Sequence, residues 1–214
     1  MRKIPKTESV TIDAPAGSLE GLLETPGDGE PTGSVVISHP HPAYGGTMQN
    51  KVVHTLSRAF VAKRFVALRF NFRGVGKSSG EYDEGVGEFQ DVLAAINWLQ
   101  IRNAGLPLWL AGFSFGGAMS IRAAVDASVT ASGLISVAPA VSRFANDLPS
   151  QPECPWLMVQ GDQDELVDIN QTIDYVNSLD PGPELAVFPN GEHFFHGRLI
   201  ELRDTVEAFI ENNR

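Results

Sequence analysis

Leu108-Trp109-Leu110-Ala111-Gly112-Phe113-Ser114-Phe115-Gly116-Gly117 is the stretch that decides how this chain is read. An apolar run leads into Gly-x-Ser-x-Gly, and small, helix-compatible residues follow at 116–127. The pattern predicts a strand, a sharp turn and a helix, with the Ser114 hydroxyl presented at the apex. The bare pentapeptide is weak evidence, since a chain of this composition yields on the order of 0.15 chance matches. A control lies within the chain. Gly76-Lys77-Ser78-Ser79-Gly80 fits the same pattern, but no strand abuts it and loop-like residues follow, so Ser78 is set aside.

Working outward from Ser114, strand and helix signals alternate. Segments 35–39, 65–70, 108–111, 134–138, 156–160 and 185–188 are short apolar runs that read as buried strands. Segments 51–63, 88–101, 116–127, 169–179 and 199–212 carry apolar residues at helical spacing. The first part, 9–13 and 19–24, reads as an antiparallel hairpin turning at Gly17 and Ser18. Fully apolar strands separated by amphipathic helices predict an α/β fold with a mostly parallel sheet covered on both faces. Ligand sites in such sheets lie beyond the carboxyl ends of the strands. Ser114, Asp164, His193 and the loop after His39 all fall there. Only about a dozen loop residues separate Pro139 from Pro155, so no helical cap is expected over Ser114.

Composition narrows the classes further. The chain has 214 residues, 43% of them hydrophobic, and reads as one globular domain over 1–214. A net charge of −10 argues against nucleic acid and anionic membranes as partners. No apolar run reaches membrane-spanning length, and residues 1–5 do not lead into a signal-peptide core, so a cytoplasmic protein is expected. The single cysteine, Cys154, excludes an internal disulfide framework and has no reactive-thiol context.

A serine hydroxyl needs a base to take its proton during attack. His193, in the loop Asn190-Gly191-Glu192-His193 after the last strand, is the favoured base, with His196 its nearest competitor. The imidazole in turn needs an acid to fix its tautomer. Asp162, Asp164 and Asp168 all follow strand 156–160. Asp168 reads as the N-cap of the next helix and Asp162 as turn-forming, which favours Asp164. Developing oxyanion charge calls for backbone N–H donors. Phe115, at the head of a helix, supplies one. In Pro40-His41-Pro42-Ala43-Tyr44 the prolines have no N–H, which points to His41, with Ala43 and Tyr44 behind it. Tyr44 and Arg73 are expected to line the substrate site, Arg73 meeting an acidic substrate group.

Two long stretches carry a family resemblance. His39-Pro40-His41-Pro42-x-x-Gly45-Gly46-Thr47-Met48-x-Asn50-Lys51-Val52-Val53 and Arg69-Phe70-Asn71-Phe72-Arg73-Gly74-Val75-Gly76-x-Ser78 resemble small, capless bacterial α/β-hydrolases related to dienelactone hydrolases and carboxylesterases. The resemblance covers nearly the whole chain. It maps Ser114 to the nucleophile, Asp164 to the acid and His193 to the base, in the chain order of α/β-hydrolases. Dienelactone hydrolases proper use cysteine at this elbow. Serine here moves the expectation toward hydrolysis of small to moderate carboxylic esters, with no cofactor.

Competing readings are weaker. Gly76-Lys77-Ser78 invites a phosphate loop, but position 71 is Asn rather than Gly and no helix signal follows at once. His39 and His41 stand at i, i+2 and point to opposite faces, so no metal site is expected. A thioesterase or peptidase would use the same residues, and a non-catalytic binding protein could keep the fold. Oligomeric state is not encoded in any motif.

Overall fold

The computed structural model describes residues 4–145, 148 and 150–214. Strands β1 (Lys6–Ala14), β2 (Gly17–Thr25), β3 (Gly33–Ser38), β4 (Phe65–Phe70), β5 (Leu108–Phe113), β6 (Gly133–Val137), β7 (Trp156–Gly161) and β8 (Glu184–Phe188) form a single sheet. Its order is β1-β2-β4-β3-β5-β6-β7-β8. β1 pairs antiparallel with β2, and β2 with β4; every later pair is parallel. The helices are α1 (Lys51–Ala62), α2 (Val86–Arg102), α3 (Phe115–Ala124), α4 (Val141–Phe144), α5 (Ile169–Asn177) and α6 (Leu199–Asn212), with a 3₁₀ turn at Pro42–Tyr44. This is the mostly parallel, hairpin-edged architecture that the sequence predicts.

The apolar runs stay apolar because both faces of the sheet are covered. Val36, Leu68, Leu110, Leu134 and Met158 pack with α2 and α3 on one face. Their neighbours in sequence, Val35, Ala67, Trp109, Ile135 and Leu157, pack with α1 and α6 on the other. Alternate residues therefore feed two cores, which is why these strands show no polar alternation.

The hairpin turn differs from expectation. Pro15 and Ala16 form it, and Gly17 is already paired with Ala14 as the first residue of β2. Proline cannot donate to a strand ladder, so the turn falls on Pro15. Gly17 re-enters the sheet at φ 114°, where a side chain would also meet Ser79. The segment after β6 carries one short helix, α4, where a loop was expected. Among the described residues, nothing between Pro139 and Pro155 builds a separate helical layer.

Strand order fixes where a site can form. From β3 the chain crosses to β4 on one side and then returns to β5 on the other, so β3 and β5 are neighbours at the point of reversal. Ligand sites of such sheets lie beyond the carboxyl ends of the strands at a reversal of this kind. The loop after β3 carries His41 and the turn after β5 carries Ser114.

A buried ion pair secures the loop after β3. Arg69 Nε donates to Glu24 Oε2 at 3.0 Å, both side chains about 5% exposed or less. Ser57 Oγ donates to the same oxygen, and Arg69 Nη1 donates to the Met48 carbonyl at 2.8 Å. Replacing one member of such a pair strands the other charge in the interior. Arg69→Met is expected to cost about 3–5 kcal/mol, read as a lower urea midpoint at unchanged m-value. A loss below about 1 kcal/mol would mean that Glu24 finds another partner.

Candidate active site

The turn after β5 is built by its glycines. A Cβ on Gly112 would overlap the Gly116 carbonyl, and one on Gly116 would overlap the carbonyls of Ser38 and His39. The missing side chains let the first turn of α3 press against the end of β3. Ser114 sits between them at φ 56°, ψ −119°, a region that costs an ordinary L-residue energy and persists only when its surroundings enforce it. Enforcement comes from Ser114 N donating to Val137 O at 2.9 Å, and from its carbonyl accepting from Ala118 N at 3.1 Å and Ala140 N at 3.2 Å. Phe115 follows as the first residue of α3, where N–H groups have no partner within the helix.

His193 and Asp164 reach each other from two different loops. His193 Nδ1 lies 2.8 Å from Asp164 Oδ2, and both side chains are almost wholly buried. Asp164 Oδ1 accepts from Leu166 N (2.9 Å) and Val167 N (2.8 Å), while Oδ2 also accepts from Gln160 Nε2 at 2.9 Å. Burial alone would raise this carboxyl. The His193 hydrogen bond and charge, and the two backbone donors, outweigh it and hold the acid below its ordinary range. The imidazole ring lies on Phe113, centroids 4.9 Å apart, one residue from Ser114. Phe194 stands edge-on against it at 5.1 Å.

The two loops meet through another pair of glycines. A Cβ on Gly161 would overlap the Gly191 carbonyl. Gln163 N donates to Gly191 O at 3.0 Å, Asn190 N to Asp162 Oδ1 at 2.6 Å, and His193 N to Glu165 Oε2 at 3.2 Å. Asp162 thus ties loop to loop, and Asp168 caps α5 through Asn170 N at 2.8 Å. Of the three aspartates, Asp164 is the one that meets His193. His196 is exposed and pairs with Glu192 instead.

The loop after β3 is held by its own imidazoles. His39 Nε2 accepts from Phe72 N at 3.1 Å, which leaves Nδ1–H to donate to Pro40 O at 2.6 Å. His41 Nδ1 accepts from Ala43 N at 3.2 Å, and Nε2 lies 3.0 Å from the Tyr82 hydroxyl. Both rings have both nitrogens engaged within the protein. The His41 ring is 5.1 Å from that of Phe115, so this loop lies over the head of α3. Asn71 Oδ1 accepts from Met48 N at 2.8 Å, joining the two stretches that carried the family resemblance. Tyr44 is 79% exposed beside His41.

Arg73 requires a correction. Its Nε and Nη2 grip the fully buried Asp91 at 2.8–3.2 Å, Nη1 approaches Asp83 Oδ2 at 3.8 Å, and its backbone N–H also bonds Asp91. The guanidinium locks α2 to the loop after β4 and already has its carboxylate, so it is not held open for a substrate. The spacing of 18 residues to Asp91 gave no local sign of this. Ser78 is structural as well. Its hydroxyl donates to Asn71 O at 2.7 Å and accepts from Glu20 N at 2.9 Å. Lys77 N meets Glu20 Oε2 at 3.0 Å, so a carboxylate stands where a phosphate loop would hold its ligand. Sequence reasoning missed Gln160 and Tyr82. A lone glutamine ending the apolar run Trp156-Leu157-Met158-Val159 was the available signal for the first.

The fold and this turn define an α/β serine hydrolase. The chain belongs to the serine aminopeptidase S33 family (Hydrolase_4), whose profile matches residues 29–152 and so spans the loop after β3 and the Ser114 turn. It is 30% identical over 210 residues to the uncharacterized protein RP471 of Rickettsia prowazekii, covering 94% of this chain and 87% of that protein. A structure described as an alpha-beta serine hydrolase homologue from Coxiella burnetii superposes with TM-score 0.88 at 45% identity, covering 94% of this chain and 96% of that one. XC6422 from Xanthomonas campestris, described as an a/b serine hydrolase without lid, gives TM-score 0.91 at 36% identity over 99% and 97% of the two chains. The chain is accordingly a small hydrolase-fold protein similar to one that lacks a lid.

Burial pushes the His39 imidazole down to about 4, against the ordinary 6.5. Above pH 6.5 the ring is neutral in both folded and unfolded chains. Below it only the unfolded chain takes up the proton, so stability falls between pH 6.5 and about 4 by roughly 3 kcal/mol. Asp164, with its lowered pKa, acts only below its unfolded value near 3.8, outside that window. Urea titrations across pH are expected to show the slope in the wild type and a clearly flatter one in His39→Gln. An equal slope in both would move the effect to another group.

Proposed function

We propose that the protein is a serine esterase acting through a covalent acyl-enzyme on carboxylic esters of small to moderate size. The observation that carries this reading is the joint placement of two features. Ser114 is held in a strained conformation at the head of α3, and the buried His193–Asp164 pair lies over the adjacent Phe113.

With Nδ1–H donated to Asp164, Nε2 is the imidazole nitrogen left with a lone pair. As Ser114 Oγ bonds to the ester carbon, its proton passes to Nε2, and Asp164 stabilises the imidazolium. The carbonyl oxygen becomes an oxyanion, met by the N–H groups of Phe115 and His41. His193 then protonates the departing alkoxide as its C–O bond breaks. Water repeats the sequence in the second half, returning a carboxylic acid and free Ser114. The reaction calls for no metal or cofactor, and the partner is a small ester rather than nucleic acid or membrane. Tyr44 borders the mouth of the site. The lone cysteine suits the cytoplasm as the place of action.

The family description also favours a second reading, cleavage of amides or peptides by the same groups. Paired p-nitrophenyl esters and p-nitroanilides separate the two. Ester turnover is expected, with anilide turnover far slower. Ser114→Ala is expected to lower kcat by about 10⁶-fold, and Asp164→Asn by about 10⁴-fold through the wrong tautomer. Labelling of wild type but not of Ser114→Ala by a fluorophosphonate checks the nucleophile directly. Near wild-type turnover by folded Ser114→Ala defeats the assignment, and an unlabelled, inactive wild type supports a binding role instead.

A further inference from the structure

We infer that Arg143, together with the aromatic wall of His41, Tyr82 and Phe144, forms a recognition subsite for esters whose acyl part carries an anionic group, a carboxylate or a phosphate-like oxyanion. This rests on the serine-hydrolase reading and names its substrate class.

The short helix α4 is anchored to the reacting residue itself, because Ala140 N donates to the Ser114 carbonyl at 3.2 Å. Ala140 is the N-cap of α4, and Phe144 N returns to its carbonyl at 3.2 Å. Phe144 stands edge-on to Phe115 at 4.9 Å and 6.0 Å from the His41 ring. Tyr82 completes the wall 4.9 Å from His41, its orientation fixed by the hydroxyl–imidazole hydrogen bond. The Arg143 guanidinium lies over the end of this wall, 5.1 Å from the Phe144 centroid.

Direction follows from the proposed chemistry. His193 must hand its proton to the departing alkoxide, so the leaving group lies on the Phe113–Phe194 side of Ser114, where His193 sits. The acyl part then extends the other way, along His41, Tyr82 and Phe144. A cation waits at that end. Arg69 and Arg73 are each held by a buried carboxylate. Arg143 is exposed, and among the described residues no carboxylate comes within ion-pair distance of it. Its charge reaches the wall. It adds to burial in lowering the His41 pKa, and it opposes the burial-driven rise at Tyr82. Glu84 acts on both groups with the opposite sign but does not pair with Arg143, so among the described residues no carboxylate stands between the guanidinium and an incoming anion. A chain of net charge −10 repels anions at long range, so any preference for them has to arise locally.

The test compares p-nitrophenyl half-esters of glutarate and adipate with their methyl-capped neutral counterparts, corrected for spontaneous hydrolysis. A phosphonate-terminated acyl ester distinguishes the two anions. The wild type is expected to favour the ionised ester at least tenfold in kcat/KM, with the preference shrinking as salt rises. Arg143→Gln is expected to lower that ratio about tenfold or more, and Arg143→Lys to restore part of it. An unchanged ratio in folded Arg143→Gln, or a wild type that prefers the neutral ester, overturns the inference. A wild type that hydrolyses neutral esters or labels with fluorophosphonate, yet shows no anionic preference, defeats this inference alone. Absence of both labelling and turnover defeats the serine-hydrolase reading and this inference with it.

Discussion

The site depends on one close approach of backbone to backbone. The first turn of α3 rests against the carbonyls of Ser38 and His39 at the end of β3, and only glycine at 116 permits it. That contact forces the turn after β5 to be tight, and the tight turn holds Ser114 at positive φ. It also draws the head of α3 to the loop that leaves β3, so that the His41 and Phe115 rings come within 5.1 Å of each other. The strain at Ser114 is opposed by three backbone hydrogen bonds from β6, α3 and the start of α4, which belong to the sheet and its crossovers rather than to the turn.

A second glycine contact plays the same part for the acid and the imidazole. Gly161 and Gly191 let the loops after β7 and β8 touch, and three further hydrogen bonds, from Gln163 N, Asn190 N and His193 N, keep them together. The Asp164–His193 pair is therefore placed by backbone packing before its own attraction acts. Gln160, buried in β7, also holds the carboxylate, its Nε2 donating to Asp164 Oδ2 at 2.9 Å and to Val167 O at 3.2 Å. Buried charge elsewhere is met in two ways. Arg69 has Glu24 and Arg73 has Asp91 as counter-ions, whereas Glu88 accepts from the backbone N–H groups of Asp83 and Gly85 at the head of α2.

Much of this architecture was legible in the chain. The apolar runs at β3 to β8 and the helical spacings between them marked the elements to within a few residues, because burial of β3 to β7 on both faces leaves a continuous apolar signature; β8, at the sheet edge, was expected to be buried but has only Phe188 buried. The glycine pattern around Ser114 could be read for the same reason that it works, since each glycine stands where a side chain would collide. Asp168 was legible as a cap because capping is local. The hairpin turns at Pro15 and Ala16, two residues before the Gly17–Ser18 pair that the sequence suggests, because Pro15 has no N–H to give to the ladder. Arg73 was misread because its partner, Asp91, lies on a helix whose docking no local pattern reveals.

By itself, then, the sequence determined the element order, the two-faced burial of the sheet and the strained serine turn, all of which arise from interactions among near neighbours or from simple periodicity. Tertiary structure alone decided how Asp164 and His193 are brought together, that Arg69 and Arg73 are held by Glu24 and Asp91, and that the short segment after β6 hydrogen-bonds to Ser114. Those outcomes rest on contacts between residues tens of positions apart. They depend on the strand order and on backbone approaches of a few ångströms, which no local pattern in the chain specifies.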